Sequence, residues 1–223
     1  SLSKRLADID LDFKDFQDSI NHELVGNIAN FCYRVLSFTN KFLDSEIKTI
    51  NKEEKLFKEI EKKINLVKKS YEDVNTNEAV KEILSISDLG NQYFQKNEPW
   101  KIKDKEKQRK VLGTSINVVK ILSVLLSPIL PKFSEDLAKQ INVKDAAFEN
   151  ITKRLENFKI KKAEIILSKL DQEIPTFAAK EEKAEVEVEI EKEAENLGIN
   201  AVCAVIENVK IKTKHEGLEK EKA

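Results

Sequence analysis

The segment that most limits what this chain can fold into is "VLGTSINVVKILSVLL", from Val111 to Leu126. Val111, Leu112, Ile116, Val118, Val119, Ile121, Leu122, Val124, Leu125 and Leu126 cover most of the circumference of any helix built from it. A surface helix needs one apolar stripe, whereas a helix that is apolar nearly all round has to be enclosed by others. The rest of the chain must therefore supply its neighbours. With only 5 Gly and 4 Pro in 223 residues, turns are scarce and those neighbours are expected to be long helices.

They are visible as helical periods. Phe13, Phe16, Ile20, Leu24, Ile28, Phe31, Val35, Phe38 and Phe42 recur every three or four residues, with Asp12 placed to cap the start. Leu56, Ile60, Ile64, Val67, Tyr71 and Val74 repeat the pattern under a face of Lys and Glu. Asn75–Asn77 breaks that helix, and Thr76 or Asn77 can cap the next. The third helix carries Val80, Ile83, Ile86, Leu89 or Gly90, Tyr93 and Phe94 inward. Pro99 ends it by forcing its predecessor out of helical conformation. Pro128 and Pro131 stop the enclosed helix, and a short one follows with Phe133, Leu137 and Ile141. The predicted fold is mainly α, a bundle of about five helices with one core, over residues 1–171.

Residues 172–182 hold Pro175 and read as a linker. Beyond it the period changes. "AEVEVEI" alternates strictly, as a half-buried strand does, and "INAVCAVIENVKIK" is β-branched and follows Gly198. Residues 183–223 are therefore expected to form a small β/α segment.

Composition narrows the class. The chain is 35% charged and 40% hydrophobic, too apolar for a disordered protein. Its net charge of −1 gives no global argument for nucleic acid, so any such case rests on local patches. Cys32 and Cys203 lie far apart in apolar contexts and read as buried thiols of a cytoplasmic protein. No apolar run approaches membrane-spanning length and no signal peptide is visible. The absence of Met suggests that Ser1 is not the natural start and that the chain is a fragment or a processed product.

Catalysis has little to stand on. His22 and His215 have neither an adjacent nucleophile nor a second ligand at metal spacing. No glycine-rich phosphate loop is present. No catalytic, metal or cofactor residue is expected.

Three features suit nucleic acid. Trp100, the single tryptophan, closes "NQYFQKNEPW" in what reads as a loop, and unpaired bases stack on such rings. The alternative is a lid over helix ends. Six cations against two acids between Lys101 and Lys110 can meet phosphates, or form the solvated start of a helix. Asn30 and Arg34, one turn apart at the edge of the first apolar stripe, offer an amide and a planar fork suited to base edges; the plain reading is an ordinary helix flank.

These pieces together resemble the anticodon-binding domain of methionyl-tRNA synthetases. "INHELVGNIANFCYRVLSFTNKFLD" is similar to its first helix, and "KEILSISDLGNQYFQKNEPWKIKDK" to the segment ending in its Pro-Trp element. "LLSPILPKFSEDL" is similar to the following Pro-x-x-Pro segment, and "ENFKIKKAEIILSKLD" to the strand-poor tail that packs back on the catalytic side. The resemblance spans about Asp12 to Asp171. It implies that Asn30, Arg34 and Trp100 recognise the anticodon, with Pro99 fixing the approach of the ring. It implies tRNA(Met) and the catalytic domain of the same ligase as partners.

The His-x-Gly-His-like and Lys-Met-Ser-Lys-Ser-like motifs of that family are missing, so ATP and methionine would bind outside this segment, which alone would be non-catalytic. The tail from Val188 to Lys222 is similar to the opening of the B3/B4-type domain of phenylalanyl-tRNA synthetase β chains and their stand-alone relatives; it could equally serve as a dimer or partner contact, or form a small sheet that packs on the bundle. Two further readings are a helical protein-interaction scaffold and the equivalent domain of an Ile, Val, Leu or Cys synthetase. An exposed Trp100 beside Asn30 and Arg34 favours RNA; a buried one favours the scaffold.

Overall fold

The computed structural model describes residues 13–47, 53–143 and 147–170. α1 (Phe13–Ser19) runs without a break through a π-helical stretch (Ile20–Ala29) into α2 (Asn30–Leu43). After β1 (Glu46–Ile47) come α3 (Glu54–Glu72), α4 (Thr76–Asn97), α5 (Lys105–Leu126) and α6 (Pro131–Gln140). A 3-10 turn (Phe148–Asn150) leads to β2 (Phe158–Lys159), which pairs antiparallel with β1, Glu46 opposite Lys159. The mainly helical bundle is as expected: the described residues form five helical rods. The linker and the β/α segment at 172–223, with Cys203 and His215, lie outside the described residues, as do Asp12 and the boundary at 171.

α5 is the axis. Every residue from Val111 to Leu126 is buried, and α2, α4 and α6 all pack on it, with α3 against α4. Asp104 caps it, its Oδ1 accepting from the amides of Glu106 at 2.9 Å and Lys107 at 3.4 Å. Several polar groups in this helix are used internally, Ser115 and Ser123 among them. Asn117 pairs with the backbone of Leu155, accepting from its N–H at 2.7 Å and donating to its carbonyl at 3.4 Å.

Three details differ from the sequence reading. α4 is capped by Asn75, whose Oδ1 accepts from Glu78 N at 3.3 Å, rather than by Thr76 or Asn77. Val74 is not part of the apolar stripe. It is 67% exposed at φ 54°, the left-handed position of a Schellman turn closed by Asn75 N to Ser70 O and Val74 N to Tyr71 O. Between Ile20 and Ala29 the helix widens to i→i+5 bonding. In that geometry every fourth and fifth residue share a face, which is why Ile20, Leu24 with Val25, and Ile28 with Ala29 all reach the core.

The tail is extended, yet little of it lies in a sheet. Carboxamide side chains stand in for missing strands. Asn40 accepts from Ala163 N and donates to Lys161 O; Gln140 holds both backbone groups of Glu164; Asn21 holds both of Leu170. Each side-chain amide supplies the donor and acceptor that a neighbouring peptide would offer.

Gly90 marks the closest crossing. A Cβ there would stand 2.7 Å from Phe31 Cζ and 3.0 Å from Val118 Cγ1. Both neighbours are wholly buried. Helix propensity favours Ala over Gly by about 1 kcal/mol, whereas overpacking of this kind costs about 1–3 kcal/mol. Gly90→Ala should therefore lower the urea midpoint at unchanged slope; a higher midpoint would show that Phe31 yields freely.

Candidate nucleic-acid interface

The loop carrying Trp100 is built by its neighbours in sequence. Pro99 has no N–H and disfavours helix in the residue before it. Glu98 duly leaves α4 at φ 40°, its N–H still bonded to Phe94 O. Pro99 is itself buried, and its carbonyl accepts from the Gln108 side chain at 2.8 Å. That bond ties the loop to the first turn of α5 and sets where the next residue begins.

Trp100 is not held out to solvent. Its indole is partly buried and packs against the core cluster. It stacks on Phe38 with centroids 5.8 Å apart and planes at 29°, and meets Phe94 at 5.7 Å and 58°. The Arg34 guanidinium lies over the same group, 5.7 Å from the Trp100 centroid and 5.3 Å from that of Phe94. With its amide oxygen turned inward, the assignment that satisfies both groups, Gln95 accepts from Arg34 Nη1 at 2.8 Å and Nη2 at 3.1 Å. The expectation of an exposed indole gives way because local sequence does not reveal Phe38 and Phe94 meeting it from two other helices.

The structure thus joins Arg34 to Trp100. Asn30 sits one turn earlier on α2, exposed, at the rim of a cavity of about 550 Å³ between α2, α6 and the tail. Next to it Asn27 anchors the π-helical stretch to α4: it donates to Asp88 at 2.8 Å and accepts from Ser87 at 2.8 Å and Asn91 at 2.9 Å. Phe38, Phe94 and Gln95 meet the Arg34–Trp100 pair, and the sequence does not single them out as its partners. Phe38 and Phe94 had the period of core residues, and nothing marks a surface Gln as the partner of an arginine.

The lysine run is largely engaged. Lys101 pairs with Glu98 at 2.7 Å, Arg109 with Glu106 at 2.5 Å and Lys110 with Glu53 at 2.7 Å. Lys105 donates to the Phe42 carbonyl at 2.6 Å, satisfying one of the last groups of α2. This is the solvated start of a helix more than a phosphate patch, although Lys101, Lys103 and Lys107 remain on the surface.

His22 is exposed, with Nδ1 at 2.8 Å from the Asp18 carbonyl. Burial pushes the Cys32 thiol far above its ordinary range, so it is not a ready nucleophile. Among the described residues no group of His, Cys, Asp and Glu is arranged to hold a metal ion, and no helix is long and apolar enough to cross a membrane.

Known proteins share stretches of this sequence and its fold. Residues 45–174, more than half of the chain, match the family described as the anticodon binding domain of methionyl tRNA ligase. Pro99 and Trp100 fall inside that stretch, and Asn30 and Arg34 precede it. The methionine–tRNA ligase of Methanopyrus kandleri is 35% identical over 178 residues, covering 77% of this chain and 27% of that protein. The enzyme of Pyrococcus furiosus is 31% identical over 175 residues, covering 76% and 24%. The chain spans about a quarter of the length of these relatives. The apo methionyl-tRNA synthetase of Mycobacterium tuberculosis shares the fold, with a TM-score of 0.67 at 16% identity over 73% of this chain and 36% of that one. With over half of its length matched by one family and its helical bundle shared with a solved relative, the chain belongs to the family of methionyl-tRNA ligase anticodon-binding domains.

Proposed function

We propose that this chain is the part of a methionine–tRNA ligase that binds tRNA(Met) in the cytoplasm and reads its anticodon, while methionine and ATP bind a catalytic domain outside it. The observation that carries this reading is the contact of Arg34 with Trp100 above Phe38 and Phe94. An unpaired base gains about 1–3 kcal/mol by stacking on such a ring. Arg34 and Asn30 then offer donors and an acceptor to its edge. Gln95 limits the directions in which the Arg34 fork points. A wrong base leaves desolvated polar groups without partners, at about 1–3 kcal/mol each. The segment itself performs no chemistry in this reading; it supplies selectivity.

The partial burial of Trp100 gives some weight to the scaffold alternative, and one titration separates the two. Fluorescence anisotropy with methionine transfer RNA and an anticodon variant of it should show a clear preference for the former. Arg34→Ala should reduce that preference by about tenfold or more, with less effect on unrelated RNA. Equal losses on all RNAs would mean that Arg34 only meets phosphate, and no preference in the unaltered protein would sink the reading.

A further inference from the structure

We propose a second base-stacking position on Phe42, for the unpaired nucleotide next to the one on Trp100; it rests on the anticodon reading above. Phe38 stands between the two rings. Its centroid is 5.8 Å from that of Trp100 and 5.5 Å from that of Phe42, the latter pair nearly parallel at 12°. Trp100, Phe38 and Phe42 therefore form one row along the C-terminal half of α2.

A cation sits at each end of the row. Arg34 lies 5.7 Å from the Trp100 centroid, and Lys41 Nζ lies 5.4 Å from that of Phe42. Phe38 and Phe42 pack against the edge of the core rather than inside it. Val35, Leu36, Thr39 and Leu43 already fill the buried face of α2, while Phe38 and Phe42 stay partly in water. Every base presents a π-face, so a row of half-exposed rings accepts successive bases whatever their identity.

Two ammonium groups complete the site. Lys41 is exposed on a flexible stem, so a base can slip between its Nζ and the Phe42 ring. Lys105, bonded to the Phe42 carbonyl at 2.6 Å, places its charge where the adjoining phosphate would run. Asp44, exposed two residues beyond Phe42, opposes them. Attraction here comes from stacking and close lysines, and not from a broad positive field.

The test uses the whole chain and synthetic anticodon stem–loop RNAs of methionine transfer RNA, intact or with one abasic site at each unpaired loop position in turn. In the unaltered protein two adjacent positions should each show a loss of about tenfold or more. Trp100→Ala should cancel one of these losses and Phe42→Ala the other, with Phe42→Tyr binding as the parent does. If Phe42→Ala binds the intact RNA like the parent, or leaves both losses in place while Trp100→Ala cancels one, the second position is refuted and the anticodon reading stands. If Trp100→Ala also changes nothing, both fall. Should circular dichroism show Phe42→Ala unfolded, Lys41→Gln decides: a severalfold weaker complex with a shallower salt dependence supports the site, and unchanged affinity overturns it.

Discussion

Trp100→Ala should weaken binding of methionine transfer RNA by about ten- to a hundredfold and also lower the stability of the bundle by about 1–2 kcal/mol. The first effect follows from the loss of the stacking ring. The second follows from what that ring touches. A fully buried Trp costs about 3–5 kcal/mol on truncation, and this one is partly buried, stacked on Phe38 and tilted against Phe94. A ring held out in solvent would instead leave the melting temperature unchanged. Trp100→Phe separates the two effects: it keeps part of the packing and offers a smaller ring to a base. Graded affinities in the order Trp, Phe, Ala, with stability nearly restored by Phe, would support base stacking. A large thermal loss with RNA binding intact would instead make Trp100 a lid over the ends of α2 and α4.

Much of this architecture was legible because burial repeats along a helix. The apolar girth of Val111–Leu126 announces the axis, and periods of three and four give the rods around it. What escaped the period is what acts across distance. Asn40, Gln140 and Asn21 hold the backbone of the tail from positions 24 to 149 residues away, and a carboxamide looks the same whether it pairs with a peptide or with water. The widening at Ile20–Ala29 escaped because Ile20, Leu24 and Ile28 fit an α-helical spacing too; only the paired positions Val25 and Ala29 hint at the wider turn. At the site, the residue types of Arg34 and Trp100 pointed to base recognition, and the structure adds that they touch. Their setting, with Phe38 beneath and Gln95 beside, depends on how α2 and α4 cross at Gly90. There Phe31 fills the space beside the missing side chain and turns its ring edge-on to Phe94, centroids 6.2 Å apart. Packing at the crossing therefore reaches the floor of the site within two rings.

The largest loss of stability is expected from Lys120. It lies in the middle of the enclosed helix, 3% exposed, in a sequence where an apolar residue would be the default. Its ammonium donates to the carbonyls of Asn150, Ile151 at 3.2 Å and Lys153 at 2.8 Å. The group thus closes the turn after α6 onto α5, just ahead of Leu155, which Asn117 holds one turn earlier on the same helix. An ammonium taken out of water is costly, and three carbonyls around it offset that cost only while all of them are in place. Truncation leaves those carbonyls desolvated and opens a cavity as well. Lys120→Ala should therefore cost about 3–5 kcal/mol, a fall of about 10 °C in melting temperature for a domain of this size. Lys120→Met keeps most of the stem's volume and removes the desolvated charge. If the three bonds dominate, Met remains well below the parent in urea midpoint, and protease cuts first between residues 147 and 155. A Met variant as stable as the parent would show that the charge costs about as much as its hydrogen bonds return. The turn would then rest on its other contacts, among them Ile151 in the core, Asn117 on Leu155, and Arg154 over Phe57 beside Glu61.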